Sequence, residues 1–244
     1  MRIPSTLACC FILLVSAASA RQDNDKVELK TNKDKASYGI GLSIGRNFQS
    51  SGLDLDPALV ARGIRDALSK AKPLLTDEQL NAAIAAFQKE VQHQQALRRI
   101  EADPKLKAAY DKNSKDAETF LAANAKKEGV MTTKSGLQYK VLKAGAGKTP
   151  KATDVVVAHY RGTLIDGKEF DSSYKRDEPI EIPANRVIAG WTEALQLMKV
   201  GAKWQLFIPG ELAYGLSGSP PTIGPNALLI FDIELLGIKS QPTK

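Results

Sequence analysis

The sequence predicts an α+β chain in which a helical N-terminal half, continued by a long connecting helix, precedes a C-terminal sheet packed on one short helix. Three observations carry that prediction. Glycine is absent from residue 64 to residue 128, whereas thirteen of the eighteen glycines fall at Gly129 or later. Eight of the twelve prolines and both tryptophans lie beyond residue 149. Apolar residues recur every three or four positions in the first half and alternate in the second, the change in period that separates helices from strands. The expected divisions are an export leader at 1–20, a helical self-association region at 21–75, the connecting helix at 76–128 and the sheet domain at 129–244.

The first twenty residues have the order of an export signal. Arg2 supplies the positive start, Leu7 to Val15 the apolar core, and Ala18-Ser19-Ala20 the small-residue cleavage site. A membrane span is the competing reading, but an apolar run of about nine residues is too short for a core that needs about 20. Cys9 and Cys10 lie inside the apolar run, not after it, which disfavours a lipid anchor. Cleavage would leave the mature chain without cysteine, so neither a disulfide nor a thiol nucleophile is expected. Export leads to an oxidising, ATP-poor space, the periplasm, with outer-membrane association or secretion left open.

Composition narrows the classes further. The 244 residues carry 34 Lys+Arg against 27 Asp+Glu, a formal charge of +7, with 43% hydrophobic residues. That balance is typical of a globular protein. The lysines alternate with acids along the chain and form no phosphate-tracking stripe, so no nucleic-acid partner is expected.

In the first half, Asp56-Pro57 is an N-cap followed by a proline at the first helical position, and Val60, Ile64 and Leu68 follow at helical spacing. Thr76 with Gln79 is a capping-box pattern, which starts a longer helix. Its apolar stripe runs Leu80, Ile84, Phe87, Val91 and then continues as Gln94 and Arg98, so an exposed arm is expected beyond three turns. Residues 76–128 would span roughly 80 Å if continuous, at about 1.5 Å per residue. Pro104 predicts a kink or break near Ala102-Asp103. Helices that each bury one face make little core alone, so residues 33–91 are expected to form a homodimer.

The second half predicts strands over 136–142, 154–160, 204–209 and 227–236. Within the first long run, alternation puts Val156, Ala158 and Tyr160 on one face and Val155, Val157 and His159 on the other. Asp166-Gly167 is a hairpin-turn signal. Asn185 to Met198 is the helix-like stretch, with Val187, Ile188, Trp191, Leu195 and Met198 on one broad face.

Two motif matches lack the context they need. Gly41-Leu42-Ser43-Ile44-Gly45 fits a nucleophile elbow, but no buried strand precedes it, and helix packing by small residues explains it better than an esterase does. Gly145 to Thr149 ends like a phosphate-binding loop, yet the position of its first glycine is Leu142. His93 and His159 lie too far apart, with no cysteine beside them, to suggest a metal. They are expected to be a solvated helix residue and a surface strand residue.

What remains is a series of apolar and aromatic residues in ordered segments. Tyr160-Arg161-Gly162-Thr163-Leu164, Asp166 to Ser173, Val187-Ile188-Ala189-Gly190-Trp191, Leu212-Ala213-Tyr214-Gly215, Ile223-Gly224-Pro225-Asn226 and Leu229-Ile230-Phe231-Asp232 resemble the FKBP-type peptidyl-prolyl cis-trans isomerases. Upstream, Ser37 to Gly41, Leu55 to Leu68 and Leu80 to Glu90 resemble the dimerisation region of the exported macrophage infectivity potentiator (Mip) group. The resemblance implies a bent antiparallel sheet wrapped on one short helix with the pocket between them. By position it puts Trp191 on the pocket floor and Tyr160, Phe170, Val187, Ile188, Ile223 and Phe231 in the walls. Asp171 and Tyr214 stand at the rim, and Arg176 orients the aspartate. Asp171, Tyr214, Phe170 and Trp191 are thereby the expected catalytic group. The remaining six, among them Arg176, are the expected substrate-binding group, and neither a metal nor a cofactor is implied.

The chemistry of these residue types agrees with the resemblance. Rotation about an Xaa-Pro bond meets a barrier of about 18–20 kcal/mol from amide resonance. A planar amide is more polar than a twisted one, so an apolar pocket penalises the ground state more than the transition state. The Ile188 N–H and the Tyr214 hydroxyl are the expected donors to a substrate carbonyl. Spacing alone would also allow Phe231, Val187 and Ile223 to be ordinary core, and Asp171 with Arg176 to be a structural ion pair.

Three positions depart from the family pattern. Ile180 stands where an aromatic wall residue is common, Ser219 where a larger loop residue is common, and the connection from Ile182 to Val187 is short. The partners implied are proline-containing unfolded or nascent exported polypeptides, with rapamycin-type macrolides as inhibitors. The alternative function is a dimeric, ATP-independent holdase chaperone with little turnover.

Overall fold

The computed structural model describes residues 28–239. The expected leader, with Arg2, Cys9, Cys10 and Ala18-Ser19-Ala20, lies outside the described residues.

The chain forms two compact units, divided between Ala71 and Lys72. In the first, α1 (Asn32–Ser50) starts at a capping box in which Thr31 Oγ1 accepts from the Asp34 N–H and the Asp34 carboxylate accepts from the Thr31 N–H. Helix α2 (Pro57–Leu68) starts at Asp56, whose carboxylate accepts from the Ala58 and Leu59 amides. Neither helix buries a residue, and Leu59, Ile64 and Leu68 are exposed. The Gly41–Gly45 match lies in the middle of α1, without the strand-to-helix turn an elbow requires.

The second unit opens with α3 (Asp77–Ala102), where Thr76 and Gln79 exchange the expected pair of hydrogen bonds at 3.0 and 3.2 Å. The helix stops at Asp103, and α4 (Pro104–Asn124) begins at once. Asp103 ends one helix and caps the next, accepting from the Lys105 and Leu106 amides. Pro104 sits at the first helical position, where its missing N–H costs nothing. Asp103-Pro104 thus repeats the start signal of Asp56-Pro57.

The stripe expected to be buried is not: Leu80 and Ile84 are exposed, Phe87 and Val91 are half-buried, and Gln94 and Arg98 are exposed as expected. Burial begins at Ile100, which is 3% exposed and lies on a different face from Gln94 and Arg98. Helix α4 then docks on the outer face of the sheet through Ala117, Phe120, Leu121 and Asn124, residues spaced for one helical face. Phe120 meets Phe207 at a ring separation of 5.6 Å. The buried Asn124 amide donates to Gln138 at 2.9 Å, and Gln138 donates back to the Leu121 carbonyl at 3.0 Å.

Seven antiparallel strands follow: β1 (Val130–Thr132), β2 (Gln138–Lys143), β3 (Val155–Leu164), β4 (Glu169–Ser172), β5 (Ile180–Pro183), β6 (Lys203–Ile208) and β7 (Leu229–Lys239). Their order is β1-β2-β6-β7-β3-β4, with β5 paired to the first half of β3 and β4 to the second. Register shifts on both sides of β3 bend it as it passes from one partner to the other. Val156, Ala158 and Tyr160 face inward as the alternation predicts. The inner face closes on α5 (Ala189–Leu195), whose Trp191, Ala194 and Leu195 are buried in the same core as Leu206, Ile208 and Ile233.

Helix α5 is half the length expected from residues 185–198. Val187 lies in a bend and Ile188 in extended backbone before it, and its last turn tightens where the Leu197 and Met198 amides share the Ala194 carbonyl. Met198 is nonetheless fully buried. His159 also differs from expectation. It is half-buried, with Nδ1 at 2.9 Å from Ser173 Oγ and its ring stacked on Tyr174.

Candidate functional site

Strand β3 delivers Tyr160 to the inner face, and the Asp166-Gly167 turn brings β4 back beside it with Phe170 and Asp171. The segment leading into α5 supplies Val187 and Ile188, and the first turn of that helix supplies Trp191. Tyr214 and Ile223 come from the loop between β6 and β7, and Phe231 from β7. These residues line one cavity of about 670 Å³.

Four rings form its apolar lining. Trp191 meets Tyr160 edge-to-face at 5.2 Å and Phe231 at 5.1 Å, while Phe231 meets Phe170 at 5.4 Å. Such crossed pairs each contribute about 0.5–1.5 kcal/mol beyond their buried area. Gly162 permits the arrangement: a β-carbon there would stand 2.6 Å from the Phe170 ring and 2.8 Å from Phe231. The Trp191 indole is 4% exposed, and its N–H has no hydrogen-bond partner among the described residues.

A polar network occupies one side of the cavity. The Tyr160 hydroxyl donates to Asp171 Oδ2 in a close hydrogen bond, and Arg176 Nη1 donates to Asp171 Oδ1 at 2.5 Å. Arg176 Nη2 also reaches the Tyr160 hydroxyl, at 2.9 Å, and the Ser172 N–H donates to Asp171 Oδ1. Burial opposes ionisation of Asp171, but the bonds from Tyr160 and Arg176 outweigh it and hold the carboxyl below its ordinary range. Burial, reinforced by the carboxylate, pushes the Tyr160 phenol up. Asp171 is a carboxylate and Tyr160 a neutral phenol at neutral pH.

The structure brings together nine of the ten residues singled out in the sequence. Arg176 is the exception: it stands behind the cavity, holding Asp171 and Tyr160 without lining it. Ile180 and Ser219, two of the departures from the family pattern, do line it. Sequence reasoning missed Ile182, Arg186, Pro220, Pro221 and Thr222. The alternation of Ile180 with Ile182 was the available signal for the first, since β5 turns both toward one face. Arg186 and the Pro220-Pro221-Thr222 ridge carry no local signal of their role. The Gly145–Thr149 loop is spent on backbone pairing, with the Gly147 N–H on the Val200 carbonyl and the Val200 N–H on the Lys148 carbonyl.

Comparison with known proteins gives two family matches. Residues 33–141 match the domain amino terminal to FKBP-type peptidyl-prolyl isomerase, and residues 146–236 match the FKBP-type peptidyl-prolyl cis-trans isomerase. The outer membrane protein MIP of Legionella longbeachae is 41% identical over 233 residues, covering 96% of this chain and 97% of that protein. The FKBP-type 22 kDa peptidyl-prolyl cis-trans isomerase of Escherichia coli is 47% identical over 210 residues, covering 85% and 96%. Among solved structures, FkpA from Escherichia coli matches with a TM-score of 0.56 at 38% identity, over 88% of this chain and 100% of that one.

Proposed function

This chain belongs to the FKBP-type peptidyl-prolyl cis-trans isomerases, whose reaction is rotation about the Xaa-Pro bond, and we propose that the reaction runs in the cavity bounded by Tyr160, Phe170, Trp191 and Phe231. The observation that carries this assignment is the set of edge-to-face rings beside a carboxylate held by Arg176. A prolyl ring is apolar and compact, and a cavity walled by ring edges and faces receives it with its polar amide near the rim.

No bond is made or broken. The apolar lining gives the planar, more polar amide less solvation than water does, and so favours the twisted form. The Ile188 N–H, immediately before α5, holds a substrate carbonyl, and the half-exposed Tyr214 hydroxyl offers a second donor. Asp171 and Tyr160 hold the wall in place and transfer no proton, since one stays ionised and the other neutral across the physiological range.

The substrates are proline-containing unfolded or nascent exported polypeptides, and rapamycin-type macrolides compete for the same cavity. A second copy covers the apolar side chains left exposed between residues 33 and 91, such as Ile40, Ile64, Leu68 and Ile84. Export to the periplasm follows from the leader reading and is in keeping with the name of the Legionella relative. Among the described residues no helix is long and apolar enough to cross a membrane.

The direct test is cis-to-trans relaxation of a short Xaa-Pro peptide with the purified chain, with and without rapamycin. Turnover that the macrolide suppresses supports the cavity assignment. Relaxation no faster than in buffer overturns it and favours client binding without catalysis.

A further inference from the structure

The loop that carries Tyr214 and Ile223 is closed on itself. The Asn226 N–H donates to the Gly215 carbonyl at 2.8 Å, and Ser219 and Ile223 exchange both backbone hydrogen bonds, at 2.8 and 3.0 Å. One side of the loop, through Pro220, Pro221 and Ile223, lines the cavity of the isomerase site. Its other side lines a groove of about 550 Å³ against α3 and α4, where Ile100, Leu106 and Ala109 face Leu216 and the same two prolines. The rim of the site is therefore a wall one loop thick with helices behind it.

Two side chains of α4 fasten that wall. Asn113 Nδ2 donates to the Pro225 carbonyl at 2.8 Å, and Asn226 Nδ2 donates to Ser114 Oγ at 2.9 Å. Consecutive residues of the helix thus hold consecutive residues of the loop. Asn226 takes the left-handed backbone conformation, with φ of 53°, so its side chain is aimed by a turn with little freedom. From this anchor the chain reaches the wall residue Ile223 in three residues. Through the Asn226 to Gly215 bond it reaches Tyr214 from the other end of the loop.

We infer that Asn113 and Ser114 are positioning residues for the isomerase site, setting the height of the Ile223 wall and the Tyr214 rim and so the preference for the residue before proline. The inference rests on the isomerase reading of the cavity. It gives α4 a role in the chemistry, because the helix that starts at Asp103-Pro104 carries both side chains that fasten the loop.

The test compares kcat/KM of the full chain and its variants toward two tetrapeptides, one with Phe and one with Ala before proline, alongside thermal midpoints. Asn113→Leu removes the donor in a good helix former of similar size, and Ser114→Ala removes the acceptor. Each is expected to lower kcat/KM about three- to tenfold, the effect of one lost hydrogen bond on a positioned group, and to change the Phe-to-Ala ratio. Ser114→Thr, which keeps the hydroxyl, is expected to retain the wild-type ratio. A merely structural role would lower both peptides equally, so an unchanged ratio in both removing variants overturns the inference, whatever their thermal midpoints. A wild-type chain inactive toward both peptides overturns the isomerase reading and this inference with it, a result distinct from an active wild type matched by its variants.

Discussion

Arg176 holds Asp171 from outside the cavity that Asp171 lines, with its guanidinium 2.5 Å from one carboxylate oxygen while the Tyr160 hydroxyl occupies the other. A charge at the rim of an apolar site is thereby kept in one orientation, and the Tyr160 ring in the wall is fixed by the same three-membered network. Because both ionic partners are close to half exposed, the pair contributes little to global stability. Its effect falls on the shape of the site.

A double-variant cycle separates those two effects. Asp171→Asn and Arg176→Ala are each expected to lower kcat/KM about tenfold, as loss of a charge-assisted hydrogen bond does, with thermal midpoints only slightly changed. The double variant is expected to be little worse than either single one, because both remove the same network. Fully additive losses would show that the two residues act independently.

The same network sets a pH dependence. The folded Asp171 carboxyl lies below its unfolded value of about 3.9, so its contribution to stability is present above that value and disappears as pH falls through the lower folded value. The difference in thermal midpoint between wild type and Asp171→Asn is expected to hold steady from pH 7 to pH 5 and to shrink below about pH 4. A difference that grows on acidification would reverse the sign of the coupling.

Trp191 and Tyr214 should part company under substitution. Trp191 is buried in the core that joins α5 to the sheet, so Trp191→Ala is expected to cost about 3–5 kcal/mol of stability together with activity. Tyr214 is 41% exposed, and Tyr214→Phe is expected to lower turnover with a thermal midpoint close to that of wild type. Denaturant titration alongside the peptide assay distinguishes them. Equal destabilisation by both would erase the distinction between floor and rim.

Gly162 is a test of ring packing. A methyl group placed 2.6 Å from Phe170 must displace it, and Gly162→Ala is expected to destabilise by about 1–3 kcal/mol and to reduce inhibitor affinity. Unchanged stability would mean that the Phe170 ring moves aside freely.

Self-association is read by sedimentation. The full chain at micromolar concentration is expected to sediment as a dimer, and an Ile64→Asp, Leu68→Asp double variant as a monomer, because both side chains are exposed apolar surface on α2. A wild-type chain that sediments as a monomer at that concentration would remove the second copy from the proposed arrangement.

Features that depend only on neighbours in the chain are readable from the order of the residues. The Asp56-Pro57 and Thr76–Gln79 starts were legible because a cap is satisfied within three residues. The inward face of β3 was legible because a pleated strand alternates whatever it packs on. Nine of the cavity residues were legible through ordered motifs, in which each short segment carries its own wall residue.

Tertiary structure decided what depends on a partner far along the chain. Asp103-Pro104 carries the same start signal as Asp56-Pro57, but whether a proline kinks one helix or opens another depends on where the second helix can dock. Asn124 and Gln138 look like surface residues until the sheet buries them against each other, and an amide in a sequence does not declare its acceptor. The same holds for Asn113 and Ser114, whose partners lie 112 residues away in each case. Hydrophobic spacing records which face of an element is buried, and it is silent on which neighbour buries it.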